Sequence, residues 1–531
     1  MQTADEQKLF QTDAQLKIAD LRLQKSLDDK KPSAANGYPM VLASKPLKIL
    51  VEGDDVYVAQ NGFVAQRIDL KTGSVKGTFK GHAGPVTSIA IYHMVTPQGL
   101  RKLLITGSWD KTVKVWDVET QIQLSSSAAH QDFVKSLEMI QGLGLFASGS
   151  TDRDILLWDI KTAVDTYDWD QIKVEHRTRK SALYNARCQD KVATVEGAPI
   201  VTTTDVSNES STETTDAGKI ETEVSDVSSS KAPPGPLHEP IQRVGTLKSH
   251  TRPVDALACH PVCSMSDAPM GLPQDRNTQQ PHLLISGDTM GALKVWCLRP
   301  TEDRTQPFKS SLEFTSSLHQ TSINSIQIIK DDDLPPDVRP TARLWTASSD
   351  HSVLLSILDL TLDASVRVMS VLRLEQPYYI RCALQLPSQV VFNSMLPNWL
   401  ITGSTDEGIR VYDLDQIDDE VDYTSVMFNP RPKSNTSEKK LQNAWFGCVD
   451  AHWHEVTSLG VWFDQASLQS WVISASLDGT LRKWEIGALR TLFSVQKSTP
   501  KACVKSTCEE TNMKLSAEEE AELAELMESM D

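Results

Sequence analysis

A hairpin-like stretch that recurs along the chain restricts the possible fold more than any other feature. It reads LITGSWDKTVKVWDV from Leu104 to Val118, two runs of alternating apolar residues joined by a polar corner. Such alternation is typical of β-strands, and the corner indicates a tight turn. Five similar stretches follow along the chain, and their last residues are Ile160, Leu298, Leu358, Asp415 and Ile486. This recurrence indicates a repeat architecture, in which each copy is one supersecondary unit.

A further apolar run precedes each copy, and in most copies a histidine introduces it. Five histidines stand four residues before a branched apolar residue: His82 and Val86, His130 and Val134, His250 and Val254, His319 and Ile323, His452 and Val456. In a sixth copy Gln376 and Ile380 replace the pair. Residues 46 to 82 hold shorter apolar runs that we interpret as a first, degenerate unit. The sequence therefore predicts seven units of four strands within residues 46–496.

These residues resemble the WD-repeat β-propeller family, whose repeat carries a Gly-His, a Ser or Thr in the second strand, an Asp in the next turn and a Trp-Asp closing the third strand. The resemblance implies an all-β fold, a seven-bladed WD-repeat β-propeller with N- and C-terminal helical or disordered extensions. It also implies a hydrogen-bonded structural tether in three blades. Its residues are His82, Thr106, Asp110 and Trp116; His130, Ser148, Asp152 and Trp158; and His452, Ser474, Asp478 and Trp484.

Three units depart from the family pattern. One has Met290 where the Asp is expected, a second has Ser356 in place of the Trp, and a third has Gln376 and Tyr412 in place of the His and the Trp. The family residues that these units keep are His250, Ser286 and Trp296; His319, Thr346 and Asp350; and Thr402 and Asp406. In these blades we expect strand pairing and core packing to contribute more than the polar set.

Composition excludes several classes of function. The formal net charge is -17, with no stripe of Lys and Arg, so we expect no direct contact with nucleic acid. No run of 18 apolar residues and no apolar leader is present, which predicts no membrane span. Eight scattered cysteines favour reduced thiols in an intracellular protein, cytoplasmic or nuclear. Cys259, His260 and Cys263 lack a second ligand pair at zinc-site spacing, so we predict no metal and no cofactor.

The histidine and aspartate pairs could indicate catalysis, with the carboxylate orienting a general base. Their recurrence in several blades favours a structural role instead, because one active site needs one such pair. The sequence contains no P-loop, HExxH or dinucleotide fingerprint. We therefore predict that the protein is not an enzyme and assign no catalytic residue.

Long insertions fall on one face of the implied propeller. In that fold the connections between the first and second strands, and between the third and fourth strands, share one face, here called the long-loop face. The remaining connections form the short-loop face. The long insertions are 92–101, 162–243, 261–281, 330–340 and 414–440. Residues 163–240 are predicted to be a disordered insertion, because 201–230 holds 14 Ser or Thr, seven acidic residues and no aromatic. Residues 414–441 are interpreted as a solvated loop.

Both ends of the chain carry helical patterns. Residues 1–35 have apolar positions at Leu9, Leu16 and Leu23, which predict an amphipathic helix; a short coiled coil and packing on the chain's own domain both remain open. Residues 497–531 form an acidic tail with a short predicted helix. One face of that helix would carry Leu523, Leu526, Met527 and Met530. This candidate tail motif could dock on the propeller or in the groove of a partner.

The short-loop face carries exposed aromatic and basic residues typical of interface hot spots. The candidate partner-binding rim consists of Trp109, Phe133, Arg252, Tyr378, Tyr379, Trp453 and Leu477. We predict a non-catalytic scaffold for protein–protein interaction, an assembly platform in a multiprotein complex, whose partners are other proteins or peptides. The oligomeric state stays open. The alternative is a substrate-receptor subunit of a cullin-4-type ubiquitin ligase, because residues 146–161 resemble that family's pattern, with Ala147 and Lys161 as departures.

Overall fold

The computed structural model describes residues 37–96, 99–165, 167, 169, 171–178, 181, 238–262, 280–301, 308–330, 341–359, 366–387, 390–391, 394–418 and 445–498. The predicted helix within 1–35 and the candidate tail motif lie outside the described residues, as do most of 163–240 and most of 414–441. Every internal gap falls in a connection of the long-loop face. The short-loop face is therefore described completely.

Seven antiparallel sheets of four strands form the described core. Blade 1 contains Pro46–Glu52, Asp55–Gln60, Val64–Asp69 and Val75–Lys80; blade 2 contains Val86–Thr96, Gly99–Ser108, Thr112–Asp117 and Gln123–Ala128. Blade 3 contains Val134–Ile140, Leu145–Ser150, Asp154–Asp159 and Arg243–Lys248; blade 4 contains Val254–Pro261, His282–Asp288, Ala292–Pro300 and Phe308–Ser317. Blade 5 contains Ile323–Lys330, Thr341–Ser348, Ser352–Asp359 and Val368–Glu375; blade 6 contains Ile380–Gln385, Trp399–Ser404, Gly408–Asp413 and Trp445–Asp450. Blade 7 contains Val456–Asp464, Gln469–Ser476, Thr480–Glu485 and Met40–Val41. A small hairpin, Val390–Val391 with Ser394–Met395, interrupts blade 6.

The first strands of the blades form a closed ring. Each contacts the first strand of the next blade, and the first strand of blade 7 contacts that of blade 1. The predicted seven-bladed β-propeller is therefore confirmed. Apolar side chains of neighbouring blades fill the space between sheets, as where Ala147 and Ile155 of blade 3 pack in one cluster with Val254 and Leu284 of blade 4. Stacking of this kind buries sheet faces that no blade could bury alone.

The N-terminal side of the chain supplies the last strand of the ring. Met40 pairs with Leu481 and Val41 with Thr480, both on the third strand of blade 7. The amide of Leu42 also donates to the carbonyl of Gly479 at 2.8 Å. This strand was not predicted, because two residues are too short for an alternating pattern. Blade 7 is thus built from both ends of the described chain, which closes the propeller.

The chain is helical after the third strands of blades 3, 6 and 7, where the sequence pattern predicted no helix. The insertion predicted to be disordered from residue 163 is ordered at its start: Ile160–Asp165 and residues 171–178 are helical. Tyr167 and Ile172 are buried in the blade 2 and blade 3 core, so that part of the prediction was wrong, because these apolar residues have a surface to pack on. After Glu485 the chain forms the terminal helix Ile486–Ser498, whose Phe493 is fully buried. One helical turn, Asp415–Asp418, follows blade 6.

Candidate functional site

The family residues of blade 2 form a connected hydrogen-bond chain. Trp116 Nε1 donates to Thr106 Oγ1 at 2.8 Å, and Thr106 Oγ1 lies 2.7 Å from His82 Nε2. On the other side of the ring, His82 Nδ1 lies 2.8 Å from Asp110 Oδ2. The amide of Ala83 donates to the same carboxylate oxygen at 3.0 Å. A neutral imidazole with its proton on Nδ1 satisfies every partner in this chain.

Blades 3 and 7 repeat the arrangement with nearly the same distances. The His–Asp, His–Ser and Trp–Ser distances are 2.8, 2.8 and 2.9 Å among His130, Asp152, Ser148 and Trp158. They are 3.0, 2.8 and 2.9 Å among His452, Asp478, Ser474 and Trp484. The structure therefore brings together all twelve residues assigned to the structural tether, in three separate blades. Each set joins the loop that enters a blade to the turn between its second and third strands.

Burial fixes the charge states of these groups. It lowers the pKa of His82 and of His452, because a charged imidazole would lose its hydration inside the blade. Burial alone would raise the pKa of Asp110, but hydrogen bonds from His82, Thr112 and the Ala83 amide outweigh it, so the pKa lies below its usual value. The same balance lowers the pKa of Asp478. The pairs are therefore neutral histidine with ionised aspartate.

These pKa shifts predict that acid destabilises the propeller. Below about pH 6.5 the unfolded chain binds protons at His82, His319 and His452 that the folded chain does not, so the free energy of unfolding falls with pH. Each histidine can lower the free energy of unfolding by at most about 1.4 kcal/mol per pH unit. A second fall below about pH 4 follows from the lowered aspartate pKa values. His82→Gln, which copies Gln376 of blade 6, should reduce the slope between pH 7 and 5 in urea titrations; an unchanged slope would contradict a neutral His82.

Blade 4 has a complete polar set, contrary to the prediction from Met290. Asp288 Oδ2 lies 3.0 Å from His250 Nδ1, and His250 Nε2 lies 2.7 Å from Ser286 Oγ. Trp296 Nε1 donates to the same hydroxyl oxygen at 3.1 Å. Asp288 follows Ser286 by two residues instead of four, and side chains two apart on a strand point to the same face. The carboxylate therefore reaches the histidine from the end of the strand instead of from the turn.

Asp288→Ala should lower the free energy of unfolding by about 2–3 kcal/mol, because it leaves the buried His250 Nδ1–H without its acceptor. It also removes an acceptor for the amides of Met290 and Ala292, each at 2.9 Å. Met290→Ala is the matched control, since that side chain is 53% exposed and should change stability by less than about 0.5 kcal/mol. Urea titration of both variants measures the difference. Equal stabilities would show that Asp288 does not stabilise blade 4.

Blades 5 and 6 differ in how much of the polar set survives. In blade 5 His319 keeps both contacts, at 3.0 Å to Asp350 and 2.8 Å to Thr346, although Ser356 replaces the Trp. The polar set of blade 5 therefore lacks only the tryptophan donor. In blade 6 the Gln376 amide donates to Thr402 Oγ1 at 2.8 Å.

The carboxylate of blade 6 has a different partner from those of the other blades. Asp406 pairs with Arg410, which donates from Nη1 to Oδ1 at 2.9 Å. The Arg410 guanidinium also lies 5.5 Å from the ring centre of Tyr378. Tyr378 is therefore half-buried by a cation of its own blade. This rim candidate is only partly available to a partner.

An aromatic stack stands on the short-loop face between blades 2 and 3. Trp109, in the turn of blade 2, is 40% exposed, and Phe133, in the loop entering blade 3, is 38% exposed. Their ring centres are 5.2 Å apart with planes inclined by 22°. Lys135 Nζ lies 6.0 Å from the centre of the Trp109 ring. The rings lie together at the surface, with one cation beside them.

Two more exposed basic residues belong to the turns of blades 2 and 3. Lys111 and Arg153 occupy the left-handed position of their turns, with φ of 69° and 77°, and both are exposed. Lys111 Nζ donates to the carbonyl of Gln131 at 2.8 Å, which ties it to the loop that carries Phe133. Trp109, Lys111, Phe133, Lys135 and Arg153 are called the blade 2–3 patch below. It combines exposed rings with three cations.

The patch borders the central channel of the propeller. A cavity of about 440 Å³ is lined by residues from the first strands of all seven blades. Trp109, Lys135 and Leu477 belong to the same lining, so the stack stands at the channel mouth. Across the mouth, Arg381 Nε and Glu455 Oε2 form an ion pair at 3.0 Å. Deeper in the channel, burial raises the pKa of Glu138 to about 7.

Comparison with known proteins agrees with these features. The family model described as "WD domain, G-beta repeat" matches residues 73–117, which include the tether residues of blade 2. The chain is a seven-bladed β-propeller with a WD repeat at residues 73–117. It is 30% identical over 128 residues to the "Uncharacterized WD repeat-containing protein C126.01c" of Schizosaccharomyces pombe, which is 23% of this chain and 34% of that protein. It is 37% identical over 60 residues to the "Periodic tryptophan protein 2 homolog" of the same yeast, 11% of this chain and 6% of that protein. The matches thus span about a third of the first relative and a small part of the second.

The other rim candidates of the WD-repeat propeller lie apart from the stack. Tyr379 is 51% exposed, and its ring centre is 4.6 Å from that of His351 in blade 5. Trp453 is partly buried, and its amide donates to Asp478 at 3.2 Å. Arg252 is exposed in the loop entering blade 4. Of the seven rim residues, the structure joins Trp109 and Phe133 directly, and Trp109 and Leu477 line the same cavity.

Sequence reasoning missed several residues of this face. Phe63, 47% exposed, stands in the turn of blade 1, and Met290 projects from the turn of blade 4. Lys111 and Lys135 were not selected either. Their positions relative to the tether residues could have placed them on this face. Their residue type could not, because basic residues are common in turns.

Neither a metal cluster nor a membrane span appears in the described residues of the WD-repeat propeller. No three His, Cys, Asp or Glu side chains described here lie close enough together to hold an ion. Cys259 and His260 end the first strand of blade 4, while Cys263 lies outside the described residues. None of the described helices is long and apolar enough to cross a membrane.

Proposed function

We propose that this WD-repeat propeller is a non-catalytic scaffold, an assembly platform that binds a partner protein or peptide at the blade 2–3 patch. The observation that carries the proposal is the exposed stack of Trp109 on Phe133. The repeat needs Trp116 but not Trp109, so blade architecture gives no reason for a bulky ring in that turn. Exposed aromatic rings beside cations are enriched among residues that dominate binding energy.

The buried state of the tether supports the non-catalytic part of the proposal. The His82 side chain is 1% exposed, and both ring nitrogens already have partners within the blade. A general base must reach the proton that it removes, which a substrate outside the blade does not allow here. The same arrangement recurs in blades 3, 4 and 7. A tether between loop and turn accounts for all four copies.

The ubiquitin-ligase alternative depends on Asp159 and Lys161, and Asp159 already has local partners. Its Oδ1 accepts the Thr162 amide at 2.9 Å, and its Oδ2 accepts the Thr162 hydroxyl. This is an N-cap for the helix that follows blade 3. Because helix capping explains Asp159, the scaffold reading needs fewer assumptions. Recovery of cullin-4 adaptor subunits with the full chain, lost on Asp159→Ala, would favour the alternative.

Affinity capture tests the proposal. The full chain and its Trp109→Ala, Phe133→Ala double variant are used as baits, and bound proteins are quantified by mass spectrometry. We expect at least a tenfold loss of the main partner from the double variant, since truncating a hot spot costs about 2 kcal/mol or more. The matched control is Val95→Ala with Leu468→Ala, two exposed apolar residues on the long-loop face. Equal capture by both variants and the parent would refute the proposed surface.

A further inference from the structure

The blade 2–3 patch differs in charge from the chain that carries it. The whole chain has a net charge of -17, yet Lys135 lies beside the Trp109 ring, and Lys111 and Arg153 are exposed in the turns of blades 2 and 3. One acidic residue, Asp132, belongs to the same loop, and its carboxylate accepts the amide of Phe133 at 2.9 Å. The solvent-facing groups of the patch are therefore mainly cationic. Such a surface fits an acidic ligand with apolar side chains.

The aspartates beneath the patch are mostly buried and are not among its solvent-facing groups. The side chains of Asp110 and Asp152 are only 10% and 14% exposed, because they point inward to His82 and His130. Their oxygens also accept backbone amides, such as those of Ala83 and Gln131. A ligand approaching from solvent meets the rings and the lysines first.

One segment of this chain has the complementary chemistry. Residues 516–531 hold seven acidic side chains and no lysine or arginine. The apolar residues among them, Leu523, Leu526, Met527 and Met530, have the spacing of one helical face. Methionine thioethers make favourable contacts with aromatic rings and adapt to irregular surfaces. A helix this short is marginal alone in water, so a docking surface would stabilise it.

The distance along the chain is sufficient. The described residues end at Ser498 in the terminal helix, which packs against blades 6 and 7. The 17 residues from 499 to 515 can span about 55–60 Å when extended. A folded body of about 400 residues has a radius of gyration of about 21 Å. The extended linker is therefore more than twice the radius of gyration, a length comparable to the width of the propeller.

We infer that residues 516–531 dock on the blade 2–3 patch of the same molecule, with the acidic side chains facing the cations and the apolar face on the Trp109–Phe133 stack. The inference uses the surface of the proposed function and adds its regulation. A partner must then displace the tail, so weakening the tail contact increases partner capture. The tail acts as an internal competitor whose effective concentration is set by the linker.

Photo-crosslinking in the purified full chain tests this docking. Benzoylphenylalanine is placed at position 133, the sample is irradiated, and tryptic peptides are identified by mass spectrometry. Lys514 is the last basic residue, so the tail is recovered as the single peptide 515–531. We expect a link between that peptide and position 133 in monomeric protein, with a yield independent of protein concentration. The same label at Val95, on the long-loop face, should give no such link.

Charge exchange provides the specificity control. Lys111→Glu with Lys135→Glu should reduce the yield at least tenfold, and Glu518, Glu519, Glu522 and Glu525 changed to Lys in that background should restore it. Trypsin cleaves at the introduced lysines, so in this variant the link is sought on the shorter fragments of 515–531. A link found only between molecules, or no tail link at position 133, overturns the inference. Partner capture that depends on Trp109 and Phe133 without any tail link leaves the proposed function standing alone. A tail link in a chain that captures no partner would support the tail docking and count against the proposed function.

Discussion

Trp116→Ala should lower the free energy of unfolding by about 3–5 kcal/mol, the usual cost of deleting a buried tryptophan. Trp116 is 2% exposed, and its ring centre lies 5.9 Å from that of Phe79 in blade 1. Its Nε1 also donates to Thr106 Oγ1. The substitution opens a cavity between two blades and removes a donor from the His82 chain. Urea titration followed by circular dichroism measures the change.

Two further variants separate the sources of this loss. Trp116→Phe keeps most of the packing and removes the N–H donor, so it should cost about 1–2 kcal/mol. Trp109→Ala removes a ring that is 40% exposed in the same hairpin, and we expect a change below about 1 kcal/mol. If Trp109→Ala were as destabilising as Trp116→Ala, the exposed ring would be part of the blade and not a free surface.

Removing residues 1–43 should destabilise the propeller by about 3 kcal/mol, because blade 7 then loses its fourth strand. The deletion removes the partly buried side chains of Met40 and Leu42 and several backbone hydrogen bonds. It also removes Gly37, whose carbonyl accepts the amide of Lys483 at 2.6 Å. The third strand of blade 7 becomes an open edge, which can pair with another chain.

Deletion of residues 1–36 is the matched control for closure. It keeps Gly37, whose φ of 65° and close approach to the Trp484 ring leave no room for a side chain. This shorter deletion should leave the unfolding midpoint in urea nearly unchanged, while the longer one lowers it and increases the aggregated fraction in size-exclusion chromatography. Equal midpoints for both deletions would show that Met40–Val41 contributes nothing to closure.

The repeat made most of the architecture predictable. Six copies of a hairpin, each with an apolar run before it, determine strand number and order, and the degenerate unit at 46–82 follows by the same spacing. The fold class therefore follows from periodicity that is repeated many times. Trp116 and Trp484 were recognisable as architecture because their positions recur. Repetition averages out the local ambiguity that limits pattern reading in a single strand.

Features that occur once were not predictable. Met40–Val41 is too short for a pattern, and its partner lies more than 400 residues away. Asp288 was missed because the expected spacing pointed to Met290, while the strand geometry allows a carboxylate two positions earlier. The terminal helix follows a regular third strand, where a fourth strand was expected. In each case a contact distant in the sequence decides the local structure.

The candidate surface was only half predictable. Trp109 was selected because the repeat does not require it, and Phe133 because it follows a tether histidine. Their stacking, and the position of Lys135 beside the Trp109 ring, depend on how neighbouring blades meet. Sequence spacing within one repeat does not report that geometry. Tyr378 and Trp453 were also predicted as rim residues. Both are partly buried, which reduces the surface that a partner can contact.

The most direct test of the docking surface is the dissociation constant of a purified partner, obtained by the capture experiment, for three forms of the full chain. The forms are the parent, Trp109→Ala with Phe133→Ala, and Val95→Ala with Leu468→Ala. They are first checked for equal thermal stability and then compared by isothermal titration calorimetry. We expect the patch variant to bind about 100-fold more weakly and the long-loop variant to bind like the parent. Equal dissociation constants for the parent and the patch variant would contradict the account.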